Sequence, residues 1–166
     1  MQSTVMQQLA GMANESQRYA LTPIFRALAD RMQSQATASA GLVISATTTK
    51  AKIGATPFAG IANGVPVAIA AGTDMPALVG SITGGSYNVF CFFIDSASTV
   101  TVAMGVEGTT LAKVKFPQFP EGKALVGYLV ITLGGVSPFI GGTTVLSAAT
   151  TVYVSPIGAI DPSISL

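Results

Sequence analysis

The sequence predicts a mainly β protein, an antiparallel β-sandwich or barrel-like domain preceded by an N-terminal helical arm. The composition changes near residue 37, from Gln, Met, Arg and Ala in helical patterns to Thr, Val, Gly, Pro and Ile in short runs. Frequent turn signals separate these runs, a spacing typical of antiparallel sandwiches and barrels. The chain of 166 residues suits one domain with an appendage. We therefore assign residues 1–37 to the helical arm and residues 38–166 to one antiparallel β domain.

The arm is expected to contain two helices. The first would carry one apolar face, formed by Val5, Met6, Leu9 and Met12. Residues 14–21 are expected to link it to the second helix. This second helix should begin at Thr22, a good N-cap, with Pro23 in the first helical position, where its missing N–H is not needed.

The second helix carries the candidate interface of the chain. Its apolar stripe is formed by Ile24, Phe25, Leu28 and Met32. Arg26 and Asp30 are spaced as i, i+4 partners on another face. An apolar stripe needs a surface to cover it. Two alternatives remain open at this point, since the stripe can pack on the chain's own β domain or dock on a neighbouring subunit.

Local signals predict most of the β domain. Asn63-Gly64 is the strongest hairpin signal, because both central positions of a type I′ turn need a positive φ. Pro66 just after it suggests an edge strand. Residues 87–94 form a continuous apolar run, which predicts a central strand buried on both faces. The further strands are predicted at residues 42–45, 58–62, 65–70, 99–104, 125–133 and 152–154.

The low charge of the chain predicts an assembly-forming protein. Only 9% of residues are charged, against about 25% in ordinary proteins, and residues 124–160 contain no Asp, Glu, Lys or Arg. Such a surface is expected to be covered by copies of itself or by a partner. We expect no membrane span, because no window offers about 18 apolar residues free of Gly, Pro and Thr clusters. We expect no nucleic-acid partner either, because the net charge is +1 and no basic run is present.

The chemistry-bearing residues do not point to an enzyme. The chain has no histidine, which removes Ser-His-Asp and Cys-His catalysis and the common zinc sites. The seven carboxylates are scattered, and no G-x-S-x-G elbow or phosphate loop is present. Cys91 lies in an apolar run and is expected to be a small buried hydrophobe. We therefore predict no catalytic residue, no metal and no cofactor.

The most recognisable part of the chain is residues 116–130, FPQFPEGKALVGYLV, followed by residues 138–149, PFIGGTTVLSAA. Together they resemble a pattern of tailed-bacteriophage structural proteins, P-x-x-P-x-G-K-A-x-x-G-Y-x-x-V and then P-F-x-x-G-T-T-x-L. Asn63-Gly64-Val65 and residues 95–102 are similar to the N-G-V and D-x-x-G-T-V region of such chains. The resemblance covers roughly residues 61–154.

This resemblance implies a virion protein, most like a capsid decoration (cement) protein. Such a protein would be made in the host cytoplasm, bind the major capsid protein on the capsid exterior, and stabilise neighbouring capsid subunits. It would form a homo-oligomer, with a trimer favoured. The alternative is a tail, fibre or adhesin component with a glycan- or protein-binding β domain, for which Tyr87, Asn88 and Tyr153 are the glycan-contacting candidates.

Overall fold

The computed structural model describes residues 15–159 of the chain. The helix predicted around Val5, Met6, Leu9 and Met12 lies outside these residues. One α-helix, α1, runs from Glu15 to Gln33, and short 3-10 turns occur at Leu111–Lys113 and Leu146–Ala148. The strands in chain order are β1 (Gln35–Ala38), β2 (Val43–Ile44), β3 (Ala51–Lys52), β4 (Phe58–Ala62), β5 (Val65–Ile69), β6 (Ser81–Ile82), β7 (Tyr87–Ile94), β8 (Val100–Met104), β9 (Ala124–Thr132), β10 (Phe139–Ile140) and β11 (Thr150–Val154).

The strands form two main sheets, which confirms the predicted mainly β, antiparallel fold class. One sheet has three strands in the order β1-β4-β5, and the other has four in the order β11-β9-β7-β8. The short pairs β2-β3 and β6-β10 complete the sheets of the described residues. Every pairing between these strands is antiparallel.

The two main sheets share one core, which we call the inner cluster. Phe58 and Val67 enter it from the three-stranded sheet, and Phe90, Phe92 and Leu129 enter it from the four-stranded sheet. Burying side chains of this size stabilises the fold by about 1.5–3 kcal/mol each, which explains how the chain folds without disulfides. The inner cluster therefore holds the sheets against each other as the layers of a sandwich.

The other face of the four-stranded sheet is also covered, by the long connection between β8 and β9. An outer cluster forms there, built from Val89, Cys91, Phe93, Val114 and Leu125. Phe116 of the connection contacts Tyr128 edge to face, with ring centroids 5.1 Å apart. Because successive β7 side chains alternate between the two clusters, β7 is buried on both faces, as the sequence predicted.

The predicted hairpin is confirmed. Asn63 and Gly64 both have a positive φ, 50° and 77°, and they join β4 to β5 with Ala62 paired to Val65. Pro66 lies in β5, an edge strand of the three-stranded sheet, as expected.

The predicted start of the second helix is wrong. Helix α1 is continuous from Glu15, so residues 15–21 are not a linker, Thr22 is not an N-cap, and Pro23 lies inside the helix. The proline removes one i→i−4 hydrogen bond. The helix continues through it because Glu, Gln, Arg, Ala and Leu in the preceding residues have high helix propensity.

The boundary region between arm and domain also differs from expectation. Strand β1 starts at Gln35, which pairs with Ile61, so the three-stranded sheet includes residues before 38. The strand expected at residues 42–45 is reduced to Val43–Ile44, a two-residue strand paired with β3.

Strand β9 contains a bulge that its sequence does not indicate. Phe92 pairs with Gly127, but Phe93 pairs with Leu125, so Val126 has no partner in β7. The bulge changes the alternation of the strand, and Val126 and Leu129 both enter the inner cluster although they are three residues apart. Gly127 is required here, because a Cβ at this position would lie 2.6 Å from both Leu42 Cδ1 and the Val154 carbonyl oxygen.

We predict that Gly127→Ala lowers the free energy of unfolding by about 1–3 kcal/mol, because the added methyl group overpacks the bulge. Chemical denaturation measures the change. Gly134→Ala is the matched control, because nothing lies within 4 Å of a Cβ at Gly134, and its effect should stay within about 0.5 kcal/mol. Equal effects of the two substitutions would contradict the role assigned to Gly127.

Candidate assembly interface on helix α1

Helix α1 contacts its own domain through polar side chains. Asp30 Oδ1 accepts a hydrogen bond of 2.8 Å from the Gly122 backbone N–H. Arg31 Nη2 donates to the Pro120 carbonyl oxygen over 3.3 Å. Both bonds join the helix to residues about 90 positions away in the chain. The turn at residues 119–122 is therefore the docking point of α1.

Asp30 and Arg31 are mostly shielded from solvent at this docking point. They form an ion pair with each other, and their side chains are 16% and 12% exposed. The Arg31 guanidinium carbon lies 4.2 Å from the centroid of the Phe119 ring, which is cation–π geometry. Arg31 Nη1 is buried without a hydrogen-bond partner, so the ring face and the ion pair provide the stabilisation of this cation.

Phe119 links the docking contact to the centre of the β domain. Its ring meets Phe93 edge to face, with centroids 4.9 Å apart. Phe93 is fully buried in β7. The Arg31 guanidinium, the Phe119 ring and the Phe93 ring thus form one series of contacts from α1 to the central strand. Edge-to-face pairs contribute about 0.5–1.5 kcal/mol beyond the area that they bury.

The C-terminal end of α1 is held by the β4–β5 hairpin. The Gln33 carbonyl oxygen accepts a hydrogen bond of 2.9 Å from the Gly64 N–H. Buried Ser34 accepts one of 3.0 Å from the Asn63 N–H through its hydroxyl oxygen. The last carbonyls of a helix lack intrahelical donors. The hairpin supplies a donor to one of these carbonyls, and this contact fixes where the helix ends. Two turns, 63–64 and 119–122, therefore orient α1.

A shallow cleft of about 340 Å³ lies between α1 and the docking turn. Its lining includes Arg26, Ala27 and Glu121 beside the Asp30–Arg31 pair. Within residues 15–159, no group of three or more His, Cys, Asp and Glu side chains is placed to hold a metal ion. Among the same residues no helix is long and apolar enough to cross a membrane.

Most of the apolar stripe lies on the side of α1 away from Asp30, although Ile24, seven residues before Arg31, lies on the same side of the helix as Arg31. Leu28 is two residues from Asp30, about 200° around the helix axis. Ile24, Leu28 and Met32 are 61%, 54% and 59% exposed, and Phe25 is half-buried. Packing on the chain's own domain therefore does not account for the first three side chains. Helix α1 thus docks a charged pair on the domain while three of its apolar side chains are exposed, which is the reverse of ordinary amphipathic packing.

The residues that dock α1 were not found by sequence reasoning. Asp30 was expected to pair with Arg26, but it pairs with Arg31 and accepts from Gly122. An i, i+4 spacing reports neighbours on a helix and contains no information about a turn 92 residues away. The double Phe-Pro sequence at 116–120 was a visible signal for an ordered turn, but not for its contact with a helix.

Two of the proposed glycan-contacting residues are not displayed for binding. Asn88 is fully buried in β7, and its Oδ1 accepts a hydrogen bond from the Val89 N–H. Tyr153 is half-buried in β11, and burial raises the pKa of its hydroxyl. The Tyr87-Asn88 pair therefore does not form an exposed aromatic and amide platform.

We predict that Asp30→Ala destabilises the docked helix by about 1–3 kcal/mol, because the Gly122 N–H loses its acceptor and Arg31 loses its ion-pair partner. Hydrogen exchange of the α1 amides measures docking, and chemical denaturation measures global stability. Arg26→Ala removes a neighbouring exposed charge on the same helix and should change stability by less than about 0.5 kcal/mol. Unchanged exchange in Asp30→Ala would show that the helix does not depend on this contact.

No family model, curated protein or solved structure matches this chain.

Proposed function

We propose that this chain is a structural subunit of a multi-copy assembly, a decoration (cement) protein of a tailed-bacteriophage capsid. It would bind the major capsid protein on the capsid exterior and stabilise neighbouring capsid subunits. One observation carries the assembly part of this proposal. Helix α1 is docked by Asp30 and Arg31, and within the described residues Ile24, Leu28 and Met32 are exposed, so that a neighbouring subunit would bury them.

The surface chemistry of the β domain supports the same class of function. Besides the helix stripe, large apolar side chains are exposed at several loops and strand ends; they include Val79, Val106, Val136, Val152 and Ile157. No charged residue occurs between positions 124 and 160 to keep this part of the surface hydrated. Singly exposed apolar side chains are common on protein surfaces, so the low charge of this region is the observation that supports an assembly function.

The phage assignment comes from the resemblance of residues 116–130 to phage structural proteins, and the positions of its glycines support it. Gly122 adopts a φ of +72° and donates its N–H to Asp30. Gly127 leaves room for the bulge in β9. The motif therefore coincides with the segment that docks α1 and shapes the central sheet, as expected for a motif that specifies architecture rather than catalysis.

In this proposal the protein is not an enzyme, and it is located in the virion after synthesis in the host cytoplasm. Its contribution to the shell is additive, because many weakly bound copies stabilise a lattice through avidity. The alternative, a tail, fibre or adhesin component, would need an exposed binding platform, and the burial of Asn88 removes one of its candidate residues.

Purified protein mixed with undecorated shells of the same phage should co-sediment with them and raise their resistance to heat or denaturant. Phe25→Asp should abolish this binding while circular dichroism shows an intact β domain, because a carboxylate cannot be buried in an apolar contact. Arg26→Ala, on the polar side of the same helix, should bind like the wild type.

Two results would contradict the proposal in different ways. Failure of the wild-type protein to bind shells would reject the decoration function. Normal decoration by Phe25→Asp would retain that function but exclude α1 from it.

A further inference from the structure

The turn of the β4–β5 hairpin carries a reactive pair of residues. The chain has asparagines at positions 14, 63 and 88, and Asn63 alone precedes a glycine. The side-chain amide of an asparagine is open to attack by the backbone nitrogen of the next residue, and a glycine has no side chain to obstruct this attack. Asn63 is exposed to solvent, whereas Asn88 is fully buried. The pair Asn63-Gly64 therefore has the sequence and the exposure that deamidation needs.

Deamidation of this pair needs only water and a base. The Gly64 nitrogen loses its hydrogen and bonds to Asn63 Cγ, the bond from Cγ to the side-chain nitrogen breaks, and ammonia leaves. The product is a cyclic succinimide. Water then opens the ring at either of its carbonyl carbons and leaves aspartate or isoaspartate at position 63. One water is consumed and one ammonia is released, so the step requires no oxidant, cofactor or enzyme.

The hydrogen that must leave is held by helix α1. The Gly64 N–H donates to the Gln33 carbonyl oxygen over 2.9 Å, and Gln33 is the last residue of α1. A base removes an amide hydrogen only after such a bond has opened, which is the condition that also governs amide hydrogen exchange. The contact between the helix and the hairpin therefore blocks the first step of the reaction.

Asn63 itself is held by two further contacts. Its N–H donates to the hydroxyl oxygen of buried Ser34 over 3.0 Å. A Cβ built on Gly122 would lie 3.7 Å from Asn63 Cβ and 3.9 Å from Asn63 Cγ, so the carboxamide lies beside the turn that binds Asp30. A chemical change at position 63 therefore disturbs both turns that orient α1.

We propose that Asn63 is a deamidation site, that its reaction is suppressed while helix α1 is docked, and that it proceeds when the contact between α1 and the hairpin opens. This inference goes beyond the decoration function and does not depend on it, because the reaction takes place within one chain.

The product keeps the helix from docking again. Aspartate or isoaspartate places a carboxylate beside Gly122, whose N–H already binds the carboxylate of Asp30, and like charges at this separation repel each other. Isoaspartate also adds one methylene to the backbone between residues 63 and 64, which moves the Gly64 N–H relative to the Gln33 carbonyl. Deamidation thus converts a reversible opening of the contact into a permanent one.

Mass spectrometry of the peptide that contains position 63 measures the reaction in the purified full chain during incubation at mildly alkaline pH. Ser34→Ala should deamidate about 5–30 times faster than the wild type, which is the change in the open population that loss of a buried hydrogen bond produces. Ser155→Ala is the matched control, because it removes a hydroxyl that accepts from the Leu42 N–H over 2.9 Å, away from the hairpin. It should react at the wild-type rate. Asn63→Asp should show no further mass gain, which assigns the reaction to this residue.

Equal rates in the wild type and Ser34→Ala would overturn the proposal, and so would equal acceleration in Ser34→Ala and Ser155→Ala. Hydrogen exchange tests the consequence. The deamidated fraction carries one more negative charge and is separated from unmodified protein by ion exchange, and its α1 amides should exchange faster than those of the unmodified protein. Unchanged exchange of α1 in this fraction would overturn the claim that the modification prevents docking.

Discussion

The orientation of helix α1 depends on the contact between the Asp30–Arg31 pair and the turn at residues 119–122. A helix normally turns its apolar side toward the core because burial of that side is the main favourable term. Here the Asp30 carboxylate finds a backbone donor and the Arg31 guanidinium finds an aromatic face. The β domain forms its core from two clusters, and neither cluster includes a residue of α1.

This arrangement connects the helix to the central sheet through a series of side-chain contacts. The Arg31 guanidinium lies on Phe119, and Phe119 packs on Phe93 in the strand that is buried on both faces. Movement of α1 relative to the domain would break the hydrogen bond from Gly122 to Asp30 and the cation–π contact of Arg31 with Phe119 together. An apolar surface presented on such a support loses little conformational freedom on binding, and this favours association.

Much of the β domain was predictable because its signals are local. Asn63-Gly64 needs only its own backbone conformation to specify a hairpin, and the apolar run of β7 is readable as a buried strand from composition alone. The start of α1 was not predictable in the same way, since Pro23 is a good first residue and the helix nevertheless runs through it. The bulge at Val126 and the docking of Asp30 on Gly122 join residues distant in sequence. The periodicity of the sequence predicts which residues form the helix stripe, but it does not predict whether the stripe faces the β domain or the solvent.

Pro66 has a consequence for how copies of this protein can join. It lies in β5, an edge strand of the three-stranded sheet, and it has no amide hydrogen to offer to an incoming strand. Edge-to-edge strand pairing has no natural end point and leads to fibres, and an edge proline discourages it. Pro66 therefore protects this edge of the three-stranded sheet from the addition of a strand from another copy of the chain.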